Sequence, residues 1–493
     1  MQEARSDSEA KKLRAMIVKM IVKPRKLGDV VPFGAAIAIG AFLATLPVPG
    51  LAYAEPGGEA VAAVTTETAQ PPSWLANIFA PENWSSYFQS TYVWQRHDSF
   101  AAAYDGPHSL SSQRETGYTL TATLFLGHRL WKNAQIFFNP ETIQSAEMSE
   151  LHGLGGLSNG ENQKTGGPTP HLYSARLFVR QTIGLGGPTS TVEAAPNQFA
   201  LETTTSRLVI TAGQMAVIDI FDNNAFSHDP RTQFLNWALM AHGASDFAAD
   251  ARGYTWGLAV EYYRDAWAFR LGHFAQPKES NGLALDFRLW RHFGTNAEIE
   301  HDHVLGGQPG KLRFMTFANY ANMGGFGDAL VFPRANGDAP DVALVRRDRA
   351  KLGFGVGLEQ YVSCDVGLFG RFSWNDGRTE TYAFAEIDRS ATAGAIVRGR
   401  AWYRPNDTLG VAYVVDALSA AHRDYLAAGG LGNFIGDGQL SYGYERVLEA
   451  YYSLGAFAGL WISADGQYIT NPGYNTNRGP VAIFAFRLHG EFF

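Results

Sequence analysis

Between Asp219 and Trp256 one short stretch gathers Asp222, Asn223, Asn224, His228, Asp229, Arg231, Asn236 and Trp237. Carboxylates, amides, an imidazole and a guanidinium together supply donors and acceptors for hydroxyl groups. Trp237 adds a flat apolar face. Such groups suit hydrogen bonding to a hydroxyl-bearing solute, for which Asp222, Asp229 and Arg231 would be the partners and Trp237 the stacking surface. The same residues also have a structural use. Asp229-Pro230 reads as the N-cap and first residue of a short helix, with "TQFLNWALM" following.

A second grouping, "NAEIEHDHVLGG" (Asn296–Gly307), has the composition of a metal site. Strand alternation places Glu298, Glu300 and Asp302 on one face and Ile299, His301 and His303 on the other. Carboxylates and imidazoles suit a divalent ion such as manganese. Residues two apart on a strand are about 6.5–7 Å apart, too far for one compact site on a single strand. Such a face can also act as an acidic ladder that attracts cations. The chain carries no Gly-x-Ser-x-Gly elbow, no His-Glu-x-x-His zinc helix and no phosphate-binding glycine loop, so no enzyme and no cofactor is expected. Carboxylate pairs abound, which keeps a secreted all-β hydrolase as an alternative.

The elements that hold these groups are strands. In "YTWGLAVEYY", Tyr254, Trp256, Leu258, Val260 and Tyr262 share one face, with Thr255, Gly257, Ala259 and Glu261 opposite. Trp267, Phe269 and Leu271 oppose Arg270. Leu352, Phe354, Val356 and Leu358 oppose Gly353, Gly355, Gly357 and Glu359, and Leu368, Phe372 and Trp374 oppose Arg371. Successive side chains of a strand point to opposite faces, so each segment has one greasy and one small or polar side. Aromatics near segment ends and sparse charge on the polar faces fit a transmembrane barrel with a crowded aqueous lumen. Charges in lipid are costly, so Glu261, Arg270, Glu359 and Arg371 are expected to face that lumen.

Composition points the same way. Charged residues make up 18% of 493, below the usual quarter, while there are 53 glycines. The single cysteine, Cys364, excludes an internal disulfide. Residues 1–54 carry eight Lys or Arg and four Asp or Glu, with an apolar core and an Ala52-x-Ala54 cleavage pattern, and read as an export signal peptide. Its removal leaves a strongly acidic chain, which argues against nucleic-acid binding. Residues 55–83 read as a flexible leader and 84–493 as one barrel domain. After the signal no apolar run reaches the length of a spanning helix, so a membrane form must be a closed barrel. The ending "IFAFRLHGEFF" alternates Phe484, Phe486, Leu488 and Phe492 against Ile483, Ala485, Arg487, His489 and Glu491, as a final barrel strand does.

Several ordered segments are similar to the carbohydrate-selective outer-membrane porins of Gram-negative bacteria, the OprB type. They are "LFLGHRLWKNAQIFFNPE", "RLFVRQTIGLGG", "GQMAVIDIFDNNAFSHDPRTQFLNWALM", "YERVLEAYYSL" and "DGQYITNPGYN". The resemblance implies an all-β antiparallel barrel of about sixteen strands. It also implies passive diffusion of sugars through the lumen, past a weak binding constriction. The long polar segment Asp219–Trp256 would then be the inward-folded constriction loop. Outer-membrane lipid, the barrel-assembly machinery that reads a terminal aromatic, and a homotrimer are the partners it implies. Some similar porins are described as manganese-selective, so a divalent-cation channel of the same fold is the runner-up.

Overall fold

The computed structural model describes residues 80–333 and 337–492. A 3-10 turn, Pro81–Asn83, leads into the strands. They are β1 Trp84–His97, β2 Glu115–Trp131, β3 Ala134–Ala146, β4 His171–Val192, β5 Leu201–Met215, β6 Thr255–Arg264, β7 Trp267–Pro277, β8 Leu285–Asp286 and β9 Phe293–Leu305. The second half holds β10 Gln308–Met323, β11 Arg347–Tyr361, β12 Val366–Asn375, β13 Arg389–Arg398, β14 Thr408–Ala417, β15 Glu445–Phe457, β16 Leu460–Thr470 and β17 Val481–Phe492. Three short helices lie in the connections: α1 Trp237–Met240, α2 Phe326–Val331 and α3 Ala420–Ala427.

Every barrel strand pairs antiparallel with its chain neighbours, and β17 pairs back onto β1 from Phe88–Phe492 to His97–Ile483. The two-residue β8 pairs only with the end of β7, while β7 continues the wall by pairing with β9. The result is a closed barrel of sixteen strands with one extra strand outside it. Closure removes the unpaired edges that lipid cannot satisfy. Among the described residues no helix is long and apolar enough to cross a membrane.

The alternation sets which face is which. Leu258, Phe269, Leu271, Leu352, Phe372, Phe484 and Phe486 are exposed on the outer wall. Glu298, Glu359, Arg371 and Arg487, on the opposite phase, are buried inside. Tyr254 departs from the expected pattern. It precedes the first residue of β6, so it is free of the strand's phase. It turns inward, where its hydroxyl donates to Glu141 at 3.1 Å.

Long connections gather at one end of the barrel, among them 98–114, 147–170, 216–254, 324–346 and 418–444, while most turns at the other end are short, such as 132–133 and 306–307. Outer-membrane barrels keep short turns on the periplasmic side and long loops outside, which orients the wall. The 216–254 loop runs into the lumen and is almost wholly buried. Inward glycines on β11 and β12 make room for it. A Cβ at Gly355 would lie 2.8 Å from the His242 ring, and one at Gly367 2.4 Å from Phe226.

Candidate functional site

The constriction loop is bound to the wall by charge. Asp222, with φ of 55°, accepts from Arg371 Nε at 2.9 Å and from the His242 amide at 2.6 Å. Arg371 also donates to the carbonyls of Leu239 and Ser227, at 2.9 and 2.5 Å. Glu298 and Glu359 accept the amides of Asp222 and Ala225, each at 2.8 Å. Glu449 on β15 takes the amides of Leu235 and Asn236, and Arg487 on β17 donates to the carbonyls of Pro230 and Gln233. Buried backbone groups need partners, and here the wall supplies them where a sheet or helix would elsewhere. The "TQFLNWALM" piece is helical only over α1. Asn236 caps it by accepting from the Ala238 amide at 3.0 Å, and Asp229 to Gln233 form a turn instead of a helix start.

Beside the loop, on the β2–β5 side, runs a cavity of about 460 Å³. Of the sequence-predicted residues, Asn223, His228, Asp229, Arg231 and Trp237 line it. Trp237 stacks on Phe384 at 4.7 Å between ring centres and on Phe247 at 6.1 Å, making an apolar face. Facing chemistry comes from Arg231, which donates to Glu161 and Glu141 at 3.0 Å each. Arg176 forms a two-toothed pair with Asp219 at 2.8 and 2.6 Å. Glu141 is also bonded by Thr123, Tyr173 and Tyr254, so its charge is fully satisfied. Above the stack, the Lys164 ammonium lies 4.8 and 4.9 Å from the Phe384 and Phe434 ring centres and donates to the Ala383 carbonyl. Burial pushes its pKa down to about 7, against the pull of Asp246, Glu386 and Asp250.

The remaining predicted residues lie elsewhere. Asp222, Asn224 and Asn236 are buried in the loop's own anchoring, and Asp222 is already bound to Arg371 and the His242 amide. Glu261, Arg270, Glu359 and Arg371 do face the lumen side, but they are absent from the cavity lining. Arg270 pairs with Glu298 at 2.7 Å and with Glu261 and Glu300 at 3.2 Å. Arg313 joins Glu300 to Glu359 at 2.5 and 3.1 Å. The metal-like trio Glu298, Glu300 and Asp302 sits in the same network. Lys311 takes Glu300 and Asp302 at 3.0 and 3.2 Å, so these carboxylates are neutralised by cations on neighbouring strands. Among the described residues no group of three or more His, Cys, Asp or Glu could hold a metal ion.

The family model for the carbohydrate-selective porin, OprB family, matches residues 108–492. The chain belongs to this family. Among solved structures, the high-pH form of Pseudomonas putida OprB matches with a TM-score of 0.62 at 17% identity, covering 85% of this chain and 96% of that one. Its low-pH form matches at 0.43 and 13%, covering 85% and 94%. DcaP of Acinetobacter baumannii, an outer-membrane channel, matches at 0.44 and 8%, covering 84% and 99%. No curated protein sequence matches. The porin is an outer-membrane β-barrel through which carbohydrates pass by selective diffusion, and its family and fold are those of a channel.

Sequence reasoning did not single out Glu161, Arg176, Arg180, Phe247, Arg252, Tyr254 and Phe384, which also line the cavity. Arg176 and Arg180 left a signal, since with Phe178 they share one face of a strand. Phe384 left none, because it reaches Trp237 only through the fold.

Proposed function

We propose that the porin selects its sugar where the Trp237–Phe384–Phe247 stack stands beside Arg231, Asp229 and Asn223 in one cavity. That juxtaposition supports the reading. An aromatic face fits the C–H surface of a sugar ring, and the neighbouring charged and amide groups fit its hydroxyls. Arg231 is held by two carboxylates, so it is oriented before a solute arrives. Passage needs binding favourable enough to enter and weak enough to leave. The surroundings that go with this function are the outer membrane of a Gram-negative cell, insertion by the barrel-assembly machinery, and a homotrimer as the assembly to test. The export segment, residues 1–54, lies outside the described residues, as does most of the leader.

The deciding experiment is single-channel conductance of the refolded chain in a planar bilayer, titrated with glucose, longer glucans and manganese. Saturable block by a sugar, weakened by Trp237→Ala, is the expected result. Cation selectivity with a manganese effect and no sugar block would overturn it.

A further inference from the structure

The turn between β4 and β5 behaves unlike its neighbours at the periplasmic end. It is eight residues long and follows β4, the longest strand of the barrel, whose ladder with β5 is broken in register around Gly184, Gly186 and Thr189. Gly186 and Gly187 have φ of 112° and 90°, a bend that other residues resist. The ribbon is exposed at Leu185, just before the bend, yet Phe199 near its tip is only 5% exposed. The tip therefore folds back into the barrel mouth.

Its anchors are specific. Asn197 and the buried Asn139 of β3 exchange two amide hydrogen bonds, each 2.9 Å. Phe199 packs on Phe137 at 5.8 Å, and the Arg129 guanidinium covers its other side at 4.5 Å. Arg180 donates to the Asn197 carbonyl at 2.8 Å and to Gln198 Oε1 at 3.3 Å. Ala195 and Gln198 close the tip with a reciprocal pair of backbone bonds at 3.0 Å. A loose surface turn has no use for such a set. The tip residues Pro196, Asn197 and Gln198 line the same cavity as Trp237, together with Gln89 of β1 and Glu491 of β17.

We infer that this folded-back tip is a second selectivity element, a rim at the periplasmic exit that sets the size of solute able to leave. Asn197 and Gln198 are its specificity-determining residues, and Arg180 is the positioning residue that holds them. The inference rests on reading the cavity as the solute's path. The aromatic stack recognises the ring at the outer end, while the rim limits the cross-section at the inner end. A solute longer than one ring must satisfy both at once.

The test uses two opposed variants of the refolded chain. Asn197→Gly with Gln198→Gly keeps the left-handed backbone at 197 and removes both side chains, while Gln198→Trp adds bulk. Salt conductance is expected to rise about 1.5- to 2-fold in the first and to fall in the second, as a widened or narrowed constriction requires. In liposome swelling, entry of a glucose trimer should gain more than entry of glucose in the first variant. Unchanged conductance in both, from barrels that still show heat-dependent gel migration, would overturn the rim. Salt conductance needs no sugar, so this failure is distinct from failure of the parent to show sugar block.

Discussion

The lumen has two halves built from the same residue types. On the β7–β17 side, Arg270, Arg313, Arg371 and Arg487 are buried and paired with carboxylates or loop carbonyls. On the β2–β5 side, Arg176, Arg180 and Arg231 line a cavity. The difference lies in what the constriction loop leaves uncovered. Where the loop packs, guanidinium and carboxylate become mortar, and breaking a pair leaves a charge buried alone. Beside the cavity the same groups are paired too, Arg231 with Glu141 and Glu161 and Arg176 with Asp219, but both guanidinium side chains also line the open space. A charge on the polar face of a barrel strand is thus no guide to selectivity until the loop's position is known.

The sharpest break of this contrast is on the packed side. Arg371→Met removes the partner of Asp222 and the donor to two loop carbonyls, a loss of about 3–5 kcal/mol for a broken buried pair. The loop should leave the wall, and single-channel recordings should show larger, noisier currents with sugar block lost. On the open side, Trp237→Ala should leave the barrel intact and weaken sugar block about tenfold, roughly 1.4 kcal/mol, close to the worth of a lost aromatic stack. Arg231→Gln should cost block affinity only about threefold, the scale of one hydrogen bond to the solute. It leaves Glu141 and Glu161 short of a cation, so reversal potentials should shift toward cation preference. The smallest effect belongs to Lys164. As pH rises through about 7 its ammonium loses its proton, and with it an attraction to the Phe384 and Phe434 rings of about 0.5–1 kcal/mol. Sugar dwell times should shorten less than about fivefold above that pH, and Lys164→Met should abolish the step.

The wall was legible in the sequence because lipid and water impose a strict period of two. Phe484, Phe486 and Arg487 announce their faces without help from any other strand. The site was legible only in part. "DPRTQ" and "NWALM" contain helix signals, but the interior supplied other partners for the loop's amides and held the helix to α1. Tyr254 was misplaced because the strand starts one residue after it. Pairing was the least legible feature. Asp222 and Arg371 lie 149 residues apart, and nothing local to either tells a solute-binding carboxylate from a structural one. The same holds for the acidic trio Glu298, Glu300 and Asp302, whose cations sit on β7 and β10.

The loop's anchors also impose an order in time. The loop lies between β5 and β6, yet it is held by Arg371 on β12, Glu449 on β15 and Arg487 on β17, the last 257 residues from its partner Pro230. Contacts so distant form only after the intervening chain is in place. The narrow passage therefore comes into being with the closing strand. A barrel halted before β17 docks has most of its wall and little of its filter, and the cell would meet it as a leak.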